Sequence, residues 1–277
     1  MRESPVHLYW GRNTPLSFTR FMTVVSLRVH NPERTIVVWS PGAPVINMAW
    51  SSPEHKSVAP SDVDWFPALS QFAFMRRAVV DLPKGCSEIH RSDLLRWQLL
   101  ADGDCVWSDF DIFYYAPLRR VVPTPDSSWD IALVRKYLPE VNTQRRITTP
   151  YLPIGLLASS GTKGAERFFD HVSVEARDAL RANEYQSAGR RALEKCEPKL
   201  PETIWIPSSA VYGIPICQLG PVWRGRYTKD PDAIGLHWYA GNAISQVHSS
   251  QWNVETVERL APTNALARMM WETWNEV

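Results

Sequence analysis

Cysteine is scarce in this sequence: four residues among 277, at Cys86, Cys105, Cys196 and Cys217, with no two at CxxC or CxxH spacing. A zinc site made from them is therefore not expected, and a chain this long can bury enough core to need no disulfide framework. We read all four as reduced thiols, which predicts a cytoplasmic protein. An excess of charge is missing too. Lys and Arg number 30 against 29 Asp and Glu, a net charge of +1, so no global field draws the chain onto nucleic acid. No uncharged apolar run approaches the length needed to cross a bilayer. The opening MRESPVHLYWGRN has no apolar stretch after its charges, so neither a transmembrane segment nor a secretory leader is expected. Internal repeats and linkers are absent as well, which predicts one domain over residues 1–277. With 44% hydrophobic and 21% charged residues the composition is that of an ordinary folded globule, and 22 prolines predict many punctuated loops.

The chain opens with an alternation of elements. VHLYW (6–10) reads as a strand. PLSFTRFMTVVSLRVHNP (15–32) carries Leu16, Phe18, Phe21, Val24, Val25 and Leu27 at roughly helical period, with Pro15 and Asn31-Pro32 as limits. RTIVVWS (34–40) reads as a short buried strand. Strand, helix, strand predicts a right-handed βαβ unit and a parallel sheet. Residues 41–86 have only short apolar runs broken by prolines. A helix over 87–101 follows, with Ser87 as N-cap, then a DGD turn and a strand CVWSDFD (105–111). Further on, WDIALVRKYL (129–138) reads as a strand, 163–182 as an amphipathic helix, and IWIPSSAVYGIPI (204–216) as more short strands. GLHWYAGN (235–242) is an isolated aromatic, histidine and glycine patch. Residues 263–277 read as a last helix with Leu266, Met269, Met270, Trp274 and Val277 on one side.

The two acids of Asp109-Phe110-Asp111 carry the chemistry. A DxD triplet arises by chance about once in a chain of average composition and this length. Its place raises its value, because the carboxyl ends of parallel strands face the crevice where ligands sit. Two carboxylates one residue apart on a strand point to the same face, and hard cations such as Mg²⁺ or Mn²⁺ take such oxygens together with substrate phosphates. Asp93 and Arg96 lie i and i+3 on the preceding helix, so they share a face near that cleft, suited to sugar hydroxyls and phosphate. The plainer readings are acids that cap a strand in water and a solvated ion pair. A dehalogenase-type phosphatase also opens on an apolar strand and DxD. That motif wants Thr or Val two residues after the second acid, where this chain has Phe113, and it sits near a domain's start.

Ser92-Asp93, Leu95-Arg96, Asp109-Phe110-Asp111 and Pro117-Leu118, in that order, resemble the signature of glycosyltransferases containing the DXD sugar-binding motif. That group includes yeast-type initiating mannosyltransferases, the catalytic domains of large clostridial glucosylating toxins, and bacterial and phage relatives. The chain departs from the pattern at Gly103-Asp104-Cys105, where a glycine pair is usual, and at Trp107-Ser108 before the acids. VHLYWGRN and its helix are similar to the family's opening, YLPIGLLASSGTKGAERFF (151–169) to the segment lining the acceptor side, and LHWYAGN to a C-terminal histidine–tryptophan element.

The resemblance implies a GT-A-type α/β fold: a Rossmann-like open, mostly parallel sheet flanked by helices, with a less regular C-terminal third. It implies a donor half over 1–118 and an acceptor side with closing elements over 119–277. It implies a nucleotide-diphosphate sugar as donor, UDP-linked first and GDP-linked second, with Mn²⁺ or Mg²⁺ held by Asp111, Asp109 and His237. Tyr9, Trp10 and Gly11 would meet the base, Asp93, Arg96 and Asp109 the sugar and ribose, and Trp238 the donor beside His237. Retention at the anomeric carbon is implied as well. A catalytically inactive sugar-binding relative is the non-enzymatic alternative, and the intact acids argue against it. The acceptor expected is a glycan or glycolipid, with a modified DNA base as the further option. Arg190-Arg191 and the run from Arg135 to Arg146 are the candidate basic patch for nucleic acid. The last helix is a candidate for peripheral membrane contact, although packing on its own core is the commoner use of such a face.

Overall fold

The computed structural model describes residues 3–12, 14–41, 63–125, 128–139, 148–182 and 184–277. The expected opening is present: β1 (Val6–Tyr9), α1 (Phe18–His30) and β2 (Ile36–Ser40) form a βαβ unit, with Val6 opposite Ile36 in a parallel ladder. α1 starts where the Ser17 side chain accepts from the Arg20 N–H. It ends at Asn31, whose own N–H returns to Leu27 O. β3 (Phe74–Arg77) extends the parallel run beyond β2. α2 (Glu88–Asp102) begins after Ser87, whose N–H is accepted by the His90 ring at 3.1 Å, and leads into β4 (Asp104–Ser108) beside β1.

The second half of the sheet is built from β6 (Ile131–Pro139), β7 (Thr148–Tyr151), β8 (Leu156–Ser160) and β9 (Thr203–Pro207). The order is β3-β2-β1-β4-β8-β6-β7, with β9 also paired to β6. β7 and β8 run against the other strands, so the sheet is mixed but mostly parallel. β5 (Ile112–Tyr114) leaves the sheet and pairs antiparallel with β10 (Gly235–His237), His237 facing Ile112.

Alternation along the strands divides the core into two layers. Val106, Ala132, Val134, Leu156 and Ala158 face the cluster around α1, while Trp107, Ile131, Leu133 and Leu157 face the one around α2. The second layer is closed by α3 (Lys163–Ala179), with Phe168, Phe169 and Val172 buried, and by α4 (Arg190–Cys196). The first layer is closed by the less regular last third. That part comprises α5 (Ser209–Tyr212), α6 (Leu219–Trp223), α7 (Ala243–Gln251), α8 (Val254–Leu260) and α9 (Ala265–Trp274).

Two expectations change, and the commoner reading of the last helix holds. The strand expected to run to Asp111 stops at Ser108: the Asp109 N–H still bonds Gly155 O at 2.8 Å, in register with the β4–β8 ladder, and the chain then turns at Phe110 and Asp111. The short strands expected over 204–216 reduce to β9, after which α5 forms a single turn closed by Tyr212 N–H to Ser208 O at 2.7 Å. The apolar face of α9 is taken by the core. Leu266 and Met270 are fully buried, Trp274 meets Phe18, Phe21 and Trp65 edge-on, and Val277 lies past the helix end. That face is not left for a membrane. Among the described residues no helix is long and apolar enough to cross one.

Candidate active site

β1 and β4 are parallel neighbours, so their carboxyl ends open on the same edge of the sheet. A cavity of about 370 Å³ lies there. It is lined by Tyr9 and Trp10 from the end of β1, Asp93 and Arg96 from α2, Asp109 and Asp111 from the turn after β4, and His237 from β10. The structure thus brings seven of the nine expected site residues to one cavity, and leaves Gly11 and Trp238 out of its wall.

Asp93 and Arg96 form a buried pair, not a solvated one. Each is 3% exposed, and Arg96 Nη1 donates to Asp93 Oδ1 at 2.9 Å. Arg96 Nη2 donates to Asp109 Oδ1 at 3.0 Å, and the Trp107 indole N–H reaches the same oxygen at 2.9 Å. The guanidinium lies over the Trp107 ring, 4.7 Å from its centroid, so the fork is fixed in plane. Asp93 Oδ2 is buried and has no hydrogen-bond partner among the described residues. Burial pushes the Asp93 carboxyl up to about 6; Arg96 opposes this and the Asp109 charge adds to it.

Asp111 stands in the opposite state. Its Oδ2 accepts the Ala240 N–H at 2.9 Å, and its Oδ1 lies 3.2 Å from His237 Nε2. Burial alone would raise this carboxyl. The His237 ring, the Arg20 charge and the Ala240 N–H together outweigh burial and hold it well below the usual carboxylate range. The β5–β10 ribbon sets the contact, since the Trp238 N–H also donates to Asp111 O at 2.9 Å. The Tyr239 N–H donates to His237 Nδ1 at 3.3 Å, which leaves the neutral ring's proton on Nε2, toward Asp111.

The base-binding expectations fit the structure less well. Trp10 lines the cavity but is only 3% exposed, packed edge-on against Phe110 with the Arg20 guanidinium over its ring at 4.9 Å. Tyr9 donates its hydroxyl to Glu88 and is buried. Gly11 serves packing, since a Cβ there would stand 2.6 Å from Glu88 Cβ. The Trp238 ring belongs to the core, edge-on to Trp223 at 5.7 Å, and reaches the cavity only through Arg20, which lies 5.6 Å from its centroid.

Several lining residues went unread in the sequence. Arg20 is one, signalled only as a lone charge among the apolar residues of FTRFMTVV. Tyr212 is another: its hydroxyl is buried without a hydrogen-bond partner among the described residues, and its ring lies 4.7 Å from that of His237. A Cβ on Gly155 would stand 2.5 Å from the Tyr212 hydroxyl and 3.0 Å from Asp109 Oδ2, so glycine there keeps both groups in place. Tyr151 and Tyr239 complete an aromatic wall facing the acids.

Of the expected basic patch, residues 140–147 lie outside the described residues. The described arginines are paired: Arg135 with Glu197 at 2.7 Å, Arg190 with Glu194 at 3.5 Å, and Arg191 with Glu184.

No protein-family model matches the sequence, and no curated protein matches it. Solved structures do. The apo-form glycosyltransferase GlyE of Streptococcus pneumoniae TIGR4 is 10% identical, with a TM-score of 0.53 over 99% of this chain and 63% of that one. A second structure of GlyE gives 10% identity and a TM-score of 0.50, over 99% of this chain and 64% of that one. The galactosyltransferase LgtC, in complex with donor and acceptor sugar analogues, is 12% identical with a TM-score of 0.46, over 85% of this chain and 87% of that one. At such identities the likeness shows the fold alone: the sheet and its flanking helices are those of a GT-A-type glycosyltransferase.

Proposed function

We propose that this protein is a metal-dependent glycosyltransferase that moves a sugar from a nucleotide-diphosphate sugar to an acceptor hydroxyl. One observation supports this above the rest. The cavity at the carboxyl ends of β1 and β4 joins a buried carboxylate with one unpartnered oxygen to an acidic turn and an imidazole. In this reading Asp93 Oδ2 accepts a sugar hydroxyl, and Arg96 holds Asp93 and Asp109 in register. Asp109 keeps one oxygen on Arg96 and Trp107 and offers the other to sugar or ribose. The Tyr212 hydroxyl, unpartnered beside it, adds a donor.

Among the described residues no three His, Cys, Asp or Glu side chains form a ready metal cluster. Asp111 Oδ1 and His237 Nε2, 3.2 Å apart, are nevertheless an oxygen and nitrogen set that Mn²⁺ accepts, with diphosphate oxygens and water for the remaining positions. To take the ion at Nε2, His237 would move its proton to Nδ1 and give up the long bond from Tyr239. The ion would supply charge stabilisation of the departing diphosphate. Asp109 would stand beside this set through its free oxygen. Retention at the anomeric carbon is part of the proposal.

For the acceptor we propose a glycan. Tyr151, Tyr212 and Tyr239 offer faces on which a sugar ring stacks, whereas the described arginines suited to nucleic acid are each paired with a glutamate. The test is calorimetric titration of UDP and GDP, with and without Mn²⁺, into wild type and Asp111→Asn. Binding of one nucleotide that strengthens with Mn²⁺ and weakens at least tenfold in the variant is expected. Absence of nucleotide binding at millimolar concentration would overturn the reading.

A further inference from the structure

We infer that Arg20 is a donor-binding residue that takes the diphosphate of the nucleotide sugar through its guanidinium; the inference rests on the function proposed above. Arg20 sits in the first turn of α1, a helix whose residues from Phe18 to Leu27 are otherwise buried. Its guanidinium lies between two indoles, 4.9 Å from the Trp10 centroid and 5.6 Å from that of Trp238. Ring faces hold a planar cation by its faces and leave its N–H edges as the outlet. That outlet is the cavity, which Arg20 lines together with Asp111 and His237.

No ion pair and no hydrogen bond from this guanidinium to another described residue is present. Asp111 and Asp109 act on it by charge alone: the two Asp111 oxygens are held by the Ala240 N–H and by His237, and Asp109 Oδ1 by Arg96 and Trp107. None of its nitrogens is sealed off without a partner; they are left for a ligand in the cavity, and guanidinium binds phosphate oxygens in a bidentate fork. Trp10 follows β1, and Trp238 follows the histidine beside Asp111. Arg20 therefore spans the edge from the expected base side to the expected metal side, the stretch a diphosphate would cross. A purely structural role, a cation wedged between two indoles, is the competing account.

The experiment compares wild type, Arg20→Gln and Arg20→Lys for affinity to UDP and GDP and, by ligand-observed NMR, to uridine and guanosine. Thermal melts run in parallel. Loss of the fork is expected to weaken the diphosphate about 30-fold in Arg20→Gln, the order of charge-assisted hydrogen bonds, and less in Arg20→Lys. Nucleoside affinity should stay within about twofold, because the base and ribose contacts are untouched. Equal weakening of nucleoside and nucleotide, or a lowered melting temperature with unchanged diphosphate affinity, would assign Arg20 to structure and overturn the inference. Failure of wild type to bind either nucleotide would instead remove the proposed function itself, and the inference with it.

Discussion

Asp93 and Asp111 line one cavity, the first buried and the second half-buried, yet their surroundings push them in opposite directions. Asp111 has a backbone donor and an imidazole on its oxygens, whereas Asp93 keeps one oxygen without a donor and has Asp109 near by. The Asp93 carboxyl rises from an ordinary 3.8 to about 6 on folding. Below 3.8 both states are protonated and the group contributes nothing. Between 3.8 and 6 the unfolded chain releases a proton that the folded chain keeps, so stability falls as pH rises, and above 6 the full cost remains. Asp93→Asn should therefore gain stability relative to wild type across that window and hold the gain above it, as read by urea unfolding at pH 4, 6 and 8. If Asp93 must be ionised to accept a sugar hydroxyl, kcat/KM should climb through pH 6 in wild type. That limb should vanish in Asp93→Asn, which should lose activity by about 10²-fold or more.

At this scale the sequence was informative wherever chemistry and spacing coincide. Asp93, Arg96, Asp109 and Asp111 were legible because an i, i+3 pair and an acidic triplet each place charges locally. Arg20 and Tyr212 were not, because each gains its meaning from neighbours on other elements that only the finished fold brings beside it.

Elements matter here mainly as carriers. β10 is three residues long, yet it fixes His237 beside Asp111 by pairing with β5. Gly235 is the tight point of that ribbon, since a Cβ there would stand 2.9 Å from Phe113 O and 3.2 Å from Ile112 Cγ2. Backbone cannot yield as a side-chain tip can, so Gly235→Ala should cost about 1–3 kcal/mol. It should also lower turnover at least tenfold by parting His237 from Asp111. Urea unfolding and nucleotide release measure the two effects separately. Trp274→Ala should behave differently. It removes the ring that meets Phe18, Phe21 and Trp65, and should cost roughly 2–4 kcal/mol while leaving nucleotide affinity unchanged.

Long elements with an apolar period, α1, α2, α3 and α9, could be read from sequence; α3 and α9 bury one face and expose the other, while α1 and α2 are marked by dense apolar residues between clear limits. The single turn α5 and the short helices α6 to α8 could not. Too few residues repeat in them to show a period, and their helical state is set by packing against the finished sheet. The end of β4 was misread because the turn at Phe110 and Asp111 is held by the chain beyond β10, Trp238 N–H to Asp111 O at 2.9 Å, more than a hundred residues later.

For the whole molecule, near-neutral charge and a cavity at one edge of the sheet make ligand binding the natural coupling between site and fold. A nucleotide that binds only the folded chain adds about 2.7 kcal/mol at a hundred times its Kd. In a chain of this size that amounts to a rise of roughly 5–10 °C in Tm. At a fixed nucleotide concentration the rise should be larger with Mn²⁺ and should shrink in Asp111→Asn. The overall architecture was legible in outline, since strand, helix, strand at the start dictates a parallel sheet whose carboxyl edge holds the site. The antiparallel insertion of β8 between β4 and β6 was not legible, because strand order across a sheet leaves no local mark in sequence.

The most direct test of the account is release of nucleotide from a panel of UDP- and GDP-sugars, with and without Mn²⁺, by wild type and Asp111→Asn. Metal-dependent release from one donor, reduced at least a hundredfold in the variant, is the predicted result. No release from any donor, by a wild type that also shows no metal-strengthened nucleotide binding, would contradict it.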